Sequence, residues 1–150
     1  MQPPDPDNHL SYVIAKVSHQ LEITIDRALS GHGITLTQFS ALAHIARSPG
    51  LSSAELARSL LTTPQATATL VRRLIGAGLV QRPEVAPGLA GTIRLTPRGL
   101  RKLHSGEKIA THAEEEALST LSSAERHWLT QGLGHLSAVL ELQQPLRKAT

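Results

Sequence analysis

The side chains best suited to chemistry in this sequence would bind rather than react. Arg72 and Arg73 are adjacent in TLVRRLIG, with Thr69 one turn before them and Gln65 two turns before. A guanidinium presents a planar fork of donors that fits a phosphate or the O6/N7 edge of guanine. A glutamine amide fits the N6/N7 edge of adenine, and an alanine or threonine methyl fits the methyl of thymine. Gln65, Ala66, Thr69, Arg72 and Arg73 therefore form a candidate set for reading base edges. Thr63 and Ser53 add hydroxyls for a sugar-phosphate backbone, and Arg82 and Arg94 add two further cations. No nucleophile elbow, glycine-rich phosphate loop or carboxylate pair at catalytic spacing is present, so an enzyme is the least favoured class and no cofactor is expected.

Charge supports a polyanion as partner. From Leu51 to Lys102 there are eight cations and only two acids, Glu55 and Glu84, whereas the rest of the chain holds seven cations and ten acids. A basic middle with slightly acidic ends suits a chain whose centre meets nucleic acid and whose ends meet protein. The plainer alternative is a solvated basic face with no partner.

Those side chains need a scaffold, and the hydrophobic pattern supplies one. The segment Leu51–Arg82, LSSAELARSLLTTPQATATLVRRLIGAGLVQR, reads as two short helices, a tight turn and an exit into a strand. Ser52 and Glu55 have capping-box spacing, and Thr63-Pro64 places a capping hydroxyl before a proline at the first helical position. The helix from residue 64 to about Ala77 should bury Thr67, Leu70, Val71 and Leu74 and turn Gln65, Ala66, Thr69 and Arg73 outward. Leu79–Arg82 and Thr92–Leu95 read as short strands around the Pro- and Gly-rich tip PEVAPGLAG.

Before this unit, Leu10, Val13, Ile14, Val17, Leu21, Ile25 and Leu29 form one helical stripe, with a glycine-rich stop at residues 30–33. Thr37 is the expected N-cap of the next helix, which carries Phe39, Leu42 and Ile45. After the unit, Thr96-Pro97 opens a long helix through Leu103, Ile109 and Ala113. Ser122 and Glu125 then open a last helix with Trp128, Leu129, Leu133, Leu136 and Leu140, limited by Pro145. The expected order is four helices, a hairpin and two helices. That is a mainly α chain with a small β-hairpin, a helix-turn-helix completed by a wing.

The runs LTQFSALAHIA, LSSAELARSL, TLVRRLIGAGLVQR and IRLTPRG, in that order, resemble the MarR family of bacterial transcription regulators. The resemblance spans roughly residues 10–140 and is strongest over 36–99. It implies a homodimer, with residues 9–30 and 97–145 forming a dimerisation layer and residues 36–96 the winged helix-turn-helix. It further implies binding to a pseudo-palindromic operator on double-stranded DNA, with recognition helices about one helical turn, roughly 34 Å, apart. Such regulators often repress and are often released by a small organic effector bound between lobe and dimer layer; Tyr12, Phe39 and His44 are the aromatic candidates for such a pocket, although core or dimer packing is the plainer reading of Tyr12 and Phe39. Where the family commonly carries Asp-x-Arg in its wing, this chain has Pro87 and Leu89, and the tip PGLAG is uncharged. Weaker reading by the wing and more dependence on helix 64–77 follow from that.

Two other readings compete. The blank wing tip also suits a winged helix that kept its fold as a protein-interaction module without reading DNA. The eight histidines raise a zinc-responsive regulator. However, His104 and His112, like His127 and His135, lie eight residues apart, about two turns, too far to share an ion without a kink. Scattered, solvated histidines are the simpler reading, and no metal site is assigned.

The length of 150 residues fits one domain, and with only Tyr12, Phe39 and Trp128 as aromatics its core must be built from aliphatic residues. The absence of cysteine excludes disulfides, thiolate zinc sites and thiol switches. No apolar run is long enough to span a membrane, and residues 1–8, rich in proline and aspartate, read as a disordered tail rather than a secretory signal. A cytoplasmic protein is expected.

Overall fold

The computed structural model describes residues 9–82 and 92–143. The expected tail, the wing tip with Pro87 and Leu89, and Pro145 lie outside those residues. Six helices and a two-stranded hairpin follow in the expected order: α1 Leu10–Ser30, α2 Leu36–Arg47, α3 Ser53–Ser59, α4 Pro64–Gly76, β1 Val80–Gln81, β2 Arg94–Leu95, α5 Pro97–Ala117 and α6 Ser123–Gln143. The chain divides into two compact units, one ending at Glu114 and the other beginning at Glu115.

In the first unit, local chemistry sets each helix start. Ser52 Oγ accepts from Glu55 N while Glu55 Oε2 accepts from Ser52 N at 2.8 Å, the reciprocal capping box expected for α3. Thr63 caps α4 by accepting from Ala66 N at 3.2 Å, with Pro64 next. The start of α2 differs from expectation. Its cap is Thr35, not Thr37, because Gln38 at the third helical position accepts in return, through Oε1, from Thr35 N at 3.0 Å. Asp26 of α1 fastens the same end by accepting from Leu36 N at 2.7 Å. Two reciprocal bonds and a tertiary one outweigh the single cap that Thr37 offers.

The core is aliphatic. Leu29, Ile34, Leu42, Ile45, Leu56, Val71, Leu74, Val80, Ile93 and Leu103 form one buried cluster drawn from α1 to α5, β1 and the residue before β2. In α4, Thr67, Val71 and Leu74 are fully inward, and Leu70 is partly buried. The α1 stripe behaves differently, since only Leu29 of that helix is buried while Leu10, Tyr12, Val13 and Val17 remain exposed.

The hairpin pairs Val80 with Leu95 and Gln81 with Arg94, antiparallel, and is shorter than the two four-residue runs read from sequence. Thr96 secures its exit: Oγ1 donates to Gly78 O at 2.7 Å and accepts from Gly99 N at 3.0 Å, so one hydroxyl joins the turn after α4 to the first turn of α5. Gly99 lies directly against the Leu79 carbonyl, where a Cβ would overlap backbone atoms.

In the second unit, Ser122 and Glu125 form the capping box of α6. Arg126 closes the turn before it by donating to Leu118 O at 2.7 Å and Leu121 O at 3.2 Å. No residue of α6 is buried, and Trp128 is 77% exposed.

Candidate nucleic-acid interface

The candidate contact residues are carried by α3, α4 and the hairpin, all anchored in the core of the first unit. Thr67, Val71 and Leu74 hold one face of α4 inward, which leaves Gln65, Ala66, Arg72 and Arg73 exposed and Thr69 partly covered. Arg72 Nη2 donates to Thr69 Oγ1 at 3.1 Å. The two side chains therefore form one outward unit, with the guanidinium steered along the helix surface.

Ser53 and Arg82, 29 positions apart, meet at the other end of the unit. Arg82 Nη2 donates to Ser53 Oγ at 2.7 Å and so joins the strand exit to the first turn of α3. The pair keeps free N–H donors on the guanidinium and a cation beside the helix-turn-helix. Arg94 is exposed on β2 opposite Gln81. Thr63 spends its side-chain oxygen on the α4 cap, which leaves its hydroxyl proton as the group available to a phosphate oxygen.

The turn between α3 and α4 holds a residue that sequence reasoning missed. Leu61 has φ 51 in the left-handed region and is 96% exposed. A leucine is strained there, and an apolar side chain is fully offered to a partner at the tip of the turn. Its position between two capped helices was the available signal.

Arg73 occupies a different flank from Arg72. With Gln65, Ala66, Thr69 and Leu70 it lines a groove of about 810 Å³ whose other walls are the middle of α1 and the start of α2. Glu22 and Asp26 of α1 also line it, one turn apart, so a guanidinium and two carboxylates share one hollow. Sequence reasoning missed this groove, because α1 and α4 are brought together only by the fold.

None of Tyr12, Phe39 and His44 lines that groove. Tyr12 is 45% exposed on α1. Phe39 packs against Gly106 of α5, where an added Cβ would stand 2.8 Å from its Cδ2. His44 is half-buried and accepts from Arg47 Nη2 at 3.1 Å through Nδ1; burial, then the charge of Arg47, lowers its pKa from the usual imidazole value. Among the described residues no three histidine, aspartate or glutamate side chains gather as a metal site, and no helix is long and apolar enough to cross a membrane.

Comparison with known proteins agrees with this arrangement. Residues 32–88 match the MarR family model. The HTH-type transcriptional repressor Rv2887 of Mycobacterium tuberculosis is 38% identical over 121 residues, which is 80% of this chain and 87% of that repressor. Solved structures of the Rv2887 protein superpose well. Its complex with DNA gives a TM-score of 0.75 at 35% identity, covering 85% of this chain and 97% of that one. Its complex with salicylic acid gives 0.74 at 36% identity, covering 85% and 96%. From its helix order, its capped helix-turn-helix and hairpin, and this similarity along most of its length, the chain belongs to the MarR family of winged helix-turn-helix transcription regulators.

Proposed function

We propose that this protein binds a pseudo-palindromic operator in double-stranded DNA as a homodimer and regulates transcription there, acting as a repressor that a small organic effector releases. The observation that carries this reading is α4. Its buried face fixes it in the core while Gln65, Arg72 and Arg73 remain exposed, in a chain similar to one solved with DNA. Gln65 and Thr69 serve base edges, and Arg72 and Arg73 serve phosphate or guanine. Ser53, Thr63, Arg82 and Arg94 serve the backbone, and each added phosphate contact steepens the salt dependence. Binding, not catalysis, is the activity, and its compartment is the cytoplasm, where a bacterial chromosome lies.

A second copy of the chain is the partner that suits the uncovered apolar side chains of α1 and α6. The similarity to a protein solved with salicylic acid supports an effector. The groove beside α4 offers a direct route to release, because an occupant would draw on Gln65, Thr69 and Arg73, side chains also assigned to DNA.

Fluorescence anisotropy with duplexes from the protein's own promoter region, over a series of salt concentrations, tests the reading. Affinity should fall steeply with salt, and a flat dependence would overturn it. Arg73→Ala should weaken operator binding by about 1–3 kcal/mol if the guanidinium reads a base. If no activity changes, α4 is not the reading element.

A further inference from the structure

A second hollow, of about 330 Å³, lies between the end of α4 and the start of α5. We propose that it binds a small oxyanion, the phosphate or carboxylate group of a low-molecular-weight ligand. The proposal does not depend on the operator reading, since none of its residues is assigned to DNA.

The charge of the wall is one-sided. Arg98, Arg101, Lys102 and Ser105 all line it, at the spacing that places four side chains on one face of a helix. Three cations on adjacent turns repel one another, and among the described residues none of them pairs with a carboxylate. Lys102 instead donates from Nζ to His32 O at 2.6 Å, which ties the ammonium to the turn between α1 and α2. The groove beside α4 has Glu22 and Asp26 in its wall, whereas this hollow has no acid.

The uncharged polar groups add donors. Gln38 lines the hollow from α2, and its Oε1 is already engaged by Thr35 N, which orients the amide so that Nε2 remains as donor. Ser105 adds a hydroxyl. Two glycine turns adjoin the cations: the Cβ position of Gly33 lies 3.6 Å from Lys102 Nζ and that of Gly78 lies 3.9 Å from Arg98 Nη1, both ordinary contact distances. Both glycines have positive φ, 71 and 66, so these turns disfavour side chains on conformational grounds. Leu79 and Ala77 supply the apolar part of the lining. A volume near the lower end of the range for ligand pockets, about 300–1,000 Å³, suits one oxyanion with a small apolar body. Bound there, it would neutralise the cations of α5 and join α5 to the turn that ends α4.

Isothermal titration of the full chain with inorganic phosphate and, separately, with benzoate tests the proposal, using chloride at matched ionic strength as baseline. Saturable binding is expected, weakened about tenfold or more by Arg98→Gln or Arg101→Gln. Both arginines are exposed, so neither substitution opens the core. In buffer free of phosphate and carboxylate, the same variants should keep the wild-type affinity for DNA and its salt slope. Binding of phosphate alone assigns the site to phosphorylated ligands, and binding of benzoate alone assigns it to organic carboxylates. No saturable binding of either anion overturns the proposal. So does a salt slope reduced by about one per substituted arginine, which would make these cations DNA-backbone contacts.

Discussion

At Thr67 the reading helix turns a hydroxyl into the core, where Oγ1 is buried with no hydrogen-bond partner. An orphaned buried hydroxyl costs about 1–3 kcal/mol, and valine has nearly its shape. Thr67→Val should therefore stabilise the protein by about 1 kcal/mol, read as a higher midpoint in urea, with DNA affinity unchanged because the side chain faces away from the interface. His44 supports a prediction about pH. Its pKa is lowered in the folded state, so the unfolded chain takes up the proton first as pH falls. Its contribution to stability is complete above the ordinary imidazole pKa, about 6.5, and is lost as pH drops through the lower folded value. Unfolding midpoints measured between pH 7 and pH 5 should fall less in His44→Gln than in the wild type; equal slopes would show that His44 is not the titrating group. Glu55 and Glu125 follow the same sign at lower pH. The Ser52 and Ser122 hydroxyls, and then their backbone N–H groups, lower those carboxyl pKa values, so the serine-to-carboxylate half of each capping box weakens as its glutamate takes up a proton.

The α3, α4 and α6 helices start at the caps read from their sequences, and the packing of one element on another adds constraints that periodicity does not show. Gly99 is the sharpest case. It reads as an ordinary residue early in a helix, a position where alanine is intrinsically better. In the fold, α5 runs so close to the Leu79 carbonyl that any Cβ would overlap it. Gly99→Ala should thus destabilise by about 3 kcal/mol or more, the upper range for overpacking, and should disturb the hairpin that follows α4. Gly132 in α6 has open space around its missing Cβ, and Gly132→Ala should stabilise by about 0.5–1 kcal/mol. Thermal melts of the two variants should shift in opposite directions, and shifts of the same sign would refute the contrast. The correction at α2 has the same origin. Thr35 and Thr37 are equivalent as isolated caps, and Gln38 with Asp26 decides between them.

For the molecule as a whole, the open question in a single chain is what covers its apolar surface. Trp128, Leu129, Leu133 and Leu140 of α6 and Leu10, Tyr12, Val13 and Val17 of α1 are exposed, more than a monomer usually leaves at two chain ends. A homodimer resolves this and supplies two reading helices, which matters because α4 offers few strong base readers. Replacing Trp128 and Leu133 together with Glu should give a monomer in sedimentation velocity and lower the affinity for a palindromic operator about 100-fold or more, as the second contact ceases to be intramolecular. A dimer that survives the double substitution would place the interface elsewhere.

The sequence by itself determined the element order, the caps of α3, α4 and α6, the inward face of α4 and the family. These depend on contacts within a few residues, on hydrophobic period, and on motifs in a set order. Tertiary structure decided which side chains share a surface. It divided Arg72 from Arg73, one steered along the helix to Thr69 and the other set in a groove with Glu22 and Asp26. It also brought Ser53 to Arg82 and gathered Arg98, Arg101 and Lys102 with Gln38 around a hollow. Tyr12, Phe39 and His44 were aromatic pocket candidates by residue type, with packing the plainer reading for Tyr12 and Phe39, and the fold sets Phe39 against Gly106. Pairings between distant elements depend on how far each helix is rotated when its apolar face is buried, and a rotation of one residue, about 100°, moves a side chain to another surface.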